Sequence, residues 1–209
     1  MIPPQTASAF LLAALLLAMV PGPDNIFVLT QSALCGARRG IILTLGLCTG
    51  LLVYSAAVAF GVALVFQSST LAFTLLKTLG AAYLVYLAWG AFRAHPEGIG
   101  SGSAAQTTLF EAYTRGIVMN LTNPKVAIFF LAFLPQFTSP AWGSLTLQML
   151  ELGALFILSA LTVFISIALL AGRLAQWLIH STRSQIILNR SAALIFLLLA
   201  LKVAMTHQH

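Results

Sequence analysis

Apolar residues fill this chain in long blocks, separated by short polar stretches. A helix needs about 20 predominantly apolar residues to cross the hydrocarbon core of a bilayer. Six blocks reach that length, at 6–34, 41–66, 71–92, 115–134, 144–171 and 187–205. The pattern predicts an all-α integral membrane protein with six transmembrane helices. The connections are short except for the stretch AHPEGIGSGSAAQTT. Such a Gly/Ser-rich segment reads as a flexible linker. It divides the chain into a three-helix half at 1–93, a linker at 94–109 and a second three-helix half at 110–209, together one domain.

Composition supports lipid as the solvent. The 209 residues are 60% hydrophobic and 7% charged, whereas a soluble domain carries roughly a quarter charged residues. The formal charge is +6, yet the basic residues fall between hydrophobic blocks and form no patch, so nucleic acid is not an expected partner. Cys35 and Cys48 offer neither a disulfide framework nor a CxxC metal pattern. The N-terminus lacks the basic region of a secretory signal and is read as the first span.

Arginine placement orients the spans. The first loop carries Arg38 and Arg39, the third is flanked by Arg93 and Arg115, and the fifth holds Arg173, Arg183 and Arg190. The second and fourth loops carry no basic residue. Positive residues mark cytoplasmic loops, so the odd loops face the cytoplasm and both termini face outward. Lys77 and Lys202 lie a turn or two inside outer helix ends, where lysines snorkel to the interface. Three spans per half place the two halves in opposite orientations, as an inverted repeat requires.

The first and fourth spans are each interrupted. Pro21, Gly22, Pro23 and Asp24 break the first; Asn120, Thr122, Asn123, Pro124 and Lys125 break the fourth. Proline removes a backbone donor and clashes with the turn before it. The breaks expose backbone groups that are tolerable only against protein or a cavity. Lys125 is ten residues from Arg115 and Asp24 eleven from Cys35, about 15 Å and 16 Å along a helix, near the bilayer middle. A charge there costs roughly 2.5–3.5 kcal/mol on insertion scales unless paired or hydrated. Discontinuous helices at matched positions of two halves point to a midplane binding site. Half-helix N-termini suit a carboxylate, and exposed carbonyls with Asp24 suit an ammonium group or a proton. Asn25, Asn120 and Asn123 add polar arms at the same level.

Other features have structural readings beside functional ones. Gln148, Glu151, Ser159, Thr162 and Ser166 share an arc of about 80° on the fifth span at 100° per residue. They line a water path with Glu151 at its outer mouth, or bond within the helix and to its neighbours. Gly46-x-x-x-Gly50, with Ala57 and Gly61 on roughly the same face, reads as close helix packing. Trp89 reads as part of an interfacial aromatic belt. His95, His180, His207 and His209 have no metal-site spacing. No P-loop, HExxH or nucleophile elbow occurs, so no enzyme, cofactor or metal is expected.

The stretches PGPDNIFVLTQSALCGARRG, KTLGAAYLVYLAWGAFR and RGIVMNLTNPKVAIFFLAFLPQF resemble the lysine exporter superfamily, most closely its homoserine/threonine-resistance branch. The resemblance covers nearly the whole chain. It implies secondary, proton-coupled export of amino acids or close derivatives across a bacterial inner membrane. It marks Pro21, Gly22, Pro23, Asp24, Asn120, Asn123, Pro124 and Lys125. The implied partners are the substrate, a coupling proton and the lipid bilayer; homo-oligomerisation stays open. Export of inorganic cations or another small solute by a related alternating-access mechanism is the alternative, although the spans are poor in carboxylates and histidines for a cation.

Overall fold

The computed structural model describes residues 2–62, 70–94, 108–180 and 182–205. Every regular element among them is helical. α1 (Pro4–Met19) and α2 (Pro23–Cys35) form one bent pair, with 59° between their axes. Pro21 and Pro23 offer no backbone N–H, and Gly22 is fully extended at φ −155°, so the α1 ladder cannot continue. Gly36 then turns the chain in the left-handed region at φ +87°, where a side chain would be strained. α3 (Ala37–Ala57) follows directly and runs into a π-helical turn, Val58–Val62. α4 spans Thr70–Arg93.

α5 (Leu109–Leu121) opens with a capping box. The Glu111 N–H donates to Thr108 Oγ1 at 3.2 Å, and the Thr108 N–H donates to Glu111 Oε2 at 2.9 Å. After a break at 122–123 come α6 (Pro124–Ile128), a π-helical turn (Phe129–Phe133) and a 3-10 turn (Leu134–Phe137), bent by 50° from α5. α7 (Leu145–His180) and α8 (Thr182–Met205) complete the chain.

Three helical segments are long and apolar enough to cross a membrane, Ala37–Gly61, Leu145–Arg173 and Gln185–Met205, or five if each bent pair is one span, among the described residues. The remaining expected span folds as α4, a helix of 24 residues. Large apolar side chains such as Leu71, Phe92, Phe110 and Leu169 lie exposed, in keeping with lipid as the surrounding solvent. α7 is longer than its expected span and carries helix through most of the expected fifth loop.

The small residues of α3 set its packing. Gly46 meets the backbone of Tyr113, and Gly116 meets the backbone of Leu43 and Leu47, so α3 and α5 lie in close parallel contact. Ala57 and Gly61 do not extend this face as expected; both are exposed. α5 ends opposite Tyr54, whose hydroxyl donates to the Leu121 carbonyl at 2.8 Å, so nothing of α5 remains for them to meet. α3 packs against α7 in the opposite sense, with Gly40 beside Ala168 and Ser55 beside Gly153. α8 lies along α4, with Asn189 Nδ2 donating to the Ala94 carbonyl at 3.4 Å. An aromatic cluster fills the centre. Phe10 of α1 meets Phe137 edge-on at 5.2 Å, and Phe129 meets Phe156 of α7 at 4.9 Å. Each such pair contributes about 0.5–1.5 kcal/mol beyond its buried area. Lys202 lies with its ammonium 3.8 Å from the Phe137 ring centre.

Candidate functional site at the two helix breaks

The two breaks face each other and satisfy each other's freed groups. Two carbonyls at the end of α1 find side-chain donors. Asn25 Nδ2 donates to the Ala18 carbonyl at 2.7 Å, and Lys125 Nζ reaches across to the Val20 carbonyl at 3.2 Å. On the other side, Asn123 Oδ1 accepts from the Lys125 N–H at 3.0 Å and so caps α6. Its Nδ2 donates to Asp24 Oδ2 at 2.6 Å. Each break thus holds the charged residue of the other. Asp24 stands in the first turn of α2, where the helix dipole favours an anion. Lys125 stands at the start of α6, where the dipole opposes a cation, and its ammonium is directed to a carbonyl instead.

All five polar residues here are more than nine-tenths buried: Asp24, Asn25, Asn120, Asn123 and Lys125. Asp24 and Lys125 make no direct ion pair; each bonds across to the opposing break. They share the wall of a small cavity of about 10 Å³ with Asn120, under Leu17, Phe156 and Phe164. That is room for about one water. Among the described residues, Asp24 Oδ1, Asn25 Oδ1 and Asn120 Oδ1 have no hydrogen-bond donor. Buried acceptors of this kind call for an N–H or O–H donor. The arrangement is suited chemically to an ammonium group, a water or a proton.

Two glycines make this packing possible. A Cβ on Gly22 would stand 3.1 Å from Lys125 Nζ, and one on Gly50 would stand 2.7 Å from Asn120 Oδ1. The role of Gly50 beside Asn120 was not legible from its spacing, which reads as helix packing alone. The aromatic wall from α7 was also missed, because apolar residues on an apolar helix carry no local signal.

The polar arc of the fifth span resolves into separate parts. Ser159, Thr162 and Ser166 donate to the carbonyls of Leu155, Leu158 and Thr162 at 2.8, 2.8 and 2.7 Å. Gln148 Nε2 donates to the carbonyls of Ser139 and Gly143, and its Oε1 accepts from the Ser139 N–H, tying down the turn before α7. Glu151 is exposed and stands apart from the Asp24–Lys125 cavity. Thr162 and Ser166 do border a larger, mostly apolar groove of about 460 Å³ beside Pro21 and Asn25. His95, His207, His209, most of the 94–109 linker and the side chains of Lys77 and His180 lie outside the described residues. Among the described residues no three His, Cys, Asp or Glu come together as a metal site.

Residues 15–207 match the family model described as LysE type translocator. The chain is 36% identical over 202 residues to a homoserine/homoserine lactone efflux protein of Salmonella typhimurium, covering 94% of each chain. It is 32% identical over 176 residues to an uncharacterized membrane protein of Pseudomonas aeruginosa, covering 80% of each. A Bacillus subtilis membrane protein is 26% identical over 182 residues, covering 83% of this chain and 86% of its own. No solved structure matches.

Proposed function

The chain belongs to the LysE type translocator family, and on that premise we propose that it is a secondary transporter, not an enzyme, exporting amino acids or close derivatives by proton antiport. Its setting is a bacterial inner membrane, with both termini outside. The observation that carries the reading is the lacing of the two breaks, with unfilled acceptors on Asp24 and Asn120 around one small cavity. Homoserine and homoserine lactone, named for the Salmonella relative, share an ammonium group. The lactone has no free carboxylate. The ammonium is therefore the group to recognise, and Asp24 with its neighbouring amide oxygens is the acceptor set for it. Lys125 then serves to hold the opposing break and balance Asp24, more than to read a carboxylate.

In the described state the cavity is too small for an amino acid. Substrate enters when the breaks part toward the cytoplasm and leaves when they part outward. Protonation of Asp24 from outside removes the charge that holds the ammonium and favours release there. Opposed antiparallel contacts between corresponding helices support two inverted repeats as the moving units.

The test is efflux from cells and uptake into inside-out vesicles under an imposed proton gradient. Asp24→Asn keeps the side-chain shape and removes the charge. It is expected to insert normally and lose at least about tenfold of gradient-driven transport, equivalent to about 1.4 kcal/mol. Transport at the wild-type rate would remove Asp24 from the mechanism. Growth protection across amino acids, their esters and lactones identifies the substrate.

A further inference from the structure

A second cavity lies away from the breaks, along the seam of α4 and α8. It measures about 620 Å³, within the roughly 300–1,000 Å³ of small-molecule sites. Trp89 and Phe92 of α4 and Ala193, Leu194 and Leu197 of α8 form its apolar length, and Arg190 stands at its rim. A second guanidinium lies at the same end. Asn189 bonds the carbonyl of Ala94, which brings its neighbour Arg190 level with Arg93. The Arg93 guanidinium is stacked over the Trp89 ring, with 4.4 Å to the ring centre. A stacked guanidinium keeps its in-plane N–H groups free for an oxyanion. Neither arginine is in an ion pair among the described residues, and no described acidic residue lines the groove. Two of the described acids are placed elsewhere: Asp24 at the breaks and Glu111 in its capping box.

We propose that this groove is a binding site for an anionic phospholipid, with an acyl chain along the α4–α8 groove and the phosphate held by Arg93 and Arg190. Each part of such a lipid meets its chemical complement. Arginine binds phosphate through paired N–H groups. Basic pockets between transmembrane helices bind anionic headgroups. Tryptophan favours the headgroup level, with an apolar ring and a donor N–H. A zwitterionic lipid brings its own cation toward two guanidinium groups and gains less. The site needs nothing from the transport reading and stands if that reading fails.

The experiment uses the full-length protein, delipidated in neutral detergent, titrated with phosphatidylglycerol or phosphatidylcholine and followed by native mass spectrometry. Phosphatidylglycerol is expected to bind more tightly, with an affinity that falls as salt rises. Each arginine near an anionic headgroup contributes about 1 kcal/mol. Arg190→Gln should therefore bind about 5-fold more weakly, and Arg93→Gln with Arg190→Gln about 30-fold. Leu194→Trp fills the groove without touching charge and should weaken phosphatidylglycerol too. Equal affinity for the two lipids, or an unchanged double variant, overturns the proposal. So does efficient disulfide dimerisation of Ala193→Cys in both lipids, which would put a second copy of the chain on this face.

Discussion

At the scale of single residues, the site depends on side chains that reach across and on glycines that leave room. Asn120 is almost fully buried and packs against Gly50. A Cβ at position 50 meets Asn120 Oδ1 at 2.7 Å, closer than the pair can tolerate, while Gly61 on the same helix continuation meets nothing within 4 Å among the described residues. Gly50→Ala should cost about 1–3 kcal/mol through overpacking and displace an unfilled acceptor of the cavity. Gly61→Ala should change stability by less than about 0.5 kcal/mol. Thermal unfolding of the two purified variants in one detergent decides this, and equal midpoints would contradict the packing. Asp24, Asn123, Pro124 and Lys125 were legible as chemistry because charge, amide and proline are rare in apolar spans. That Asp24 bonds Asn123, while Lys125 bonds a backbone carbonyl, was not legible. A shared depth fixes neither azimuth nor side-chain direction.

At the scale of elements, hydropathy located most helices but placed several ends wrongly. α5 begins at Leu109, inside the stretch read as linker. The signal was present as Thr108-x-x-Glu111, a capping box before an apolar run, but hydropathy reports membrane depth and not the first hydrogen-bonded turn. α7 runs on to His180 for the same reason. No glycine or proline occurs between Leu174 and His180, so nothing in that stretch breaks the helix when the sequence turns polar. The π-helical turns at Val58–Val62 and Phe129–Phe133 have no composition signature. The capping box gives this scale its own prediction. Removing one N-cap side chain costs typically about 1 kcal/mol. Thr108→Ala should therefore lower the unfolding midpoint and raise amide exchange in the first turn of α5. Thr108→Ser should keep both near wild type. Indistinguishable exchange in the alanine variant would mean that tertiary packing, and not the cap, fixes this end.

At the scale of the whole molecule, the contacts pair each helix of one half with its counterpart in the other, in opposite directions. Phe10, Val20 and Asp24 meet Phe137, Lys125 and Asn123 in reverse order. Further along, Phe27 lies under the guanidinium of Arg115 at 4.5 Å. The second helices are likewise reversed, with Gly40 and Ser55 beside Ala168 and Gly153. The third pair joins the end of α4 to the first turns of α8. Contacts of this kind are what the proposed inverted repeat, with its axis in the membrane plane, requires. The arrangement also meets the electrical requirement. In the proposed inverted repeat the two broken helices enter the bilayer from opposite faces and bring Asp24 and Lys125 to one level, where an acid and a base limit each other's cost.

The proposed orientation of the whole rests on the arginines. Arg38, Arg39, Arg93, Arg115, Arg183 and Arg190 belong to loops or helix ends on one side by the six-span count, and positive residues stay in the cytoplasm. A C-terminal alkaline phosphatase fusion should then be active, because that enzyme folds only outside the cytoplasm, and a C-terminal fluorescent reporter that matures only in the cytoplasm should be dark. Fusions truncated within the Gly/Ser-rich 94–109 stretch should give the opposite pair of results. The two sites test different things. If both fusions report the cytoplasm, an even number of crossings separates them, and the second half is not inverted relative to the first. If both results are simply exchanged, the repeat survives and only the arginine rule has failed. An active outer reporter at the C-terminus with a cytoplasmic one in the linker is the single pattern that satisfies both the antiparallel contacts and the arginine placement.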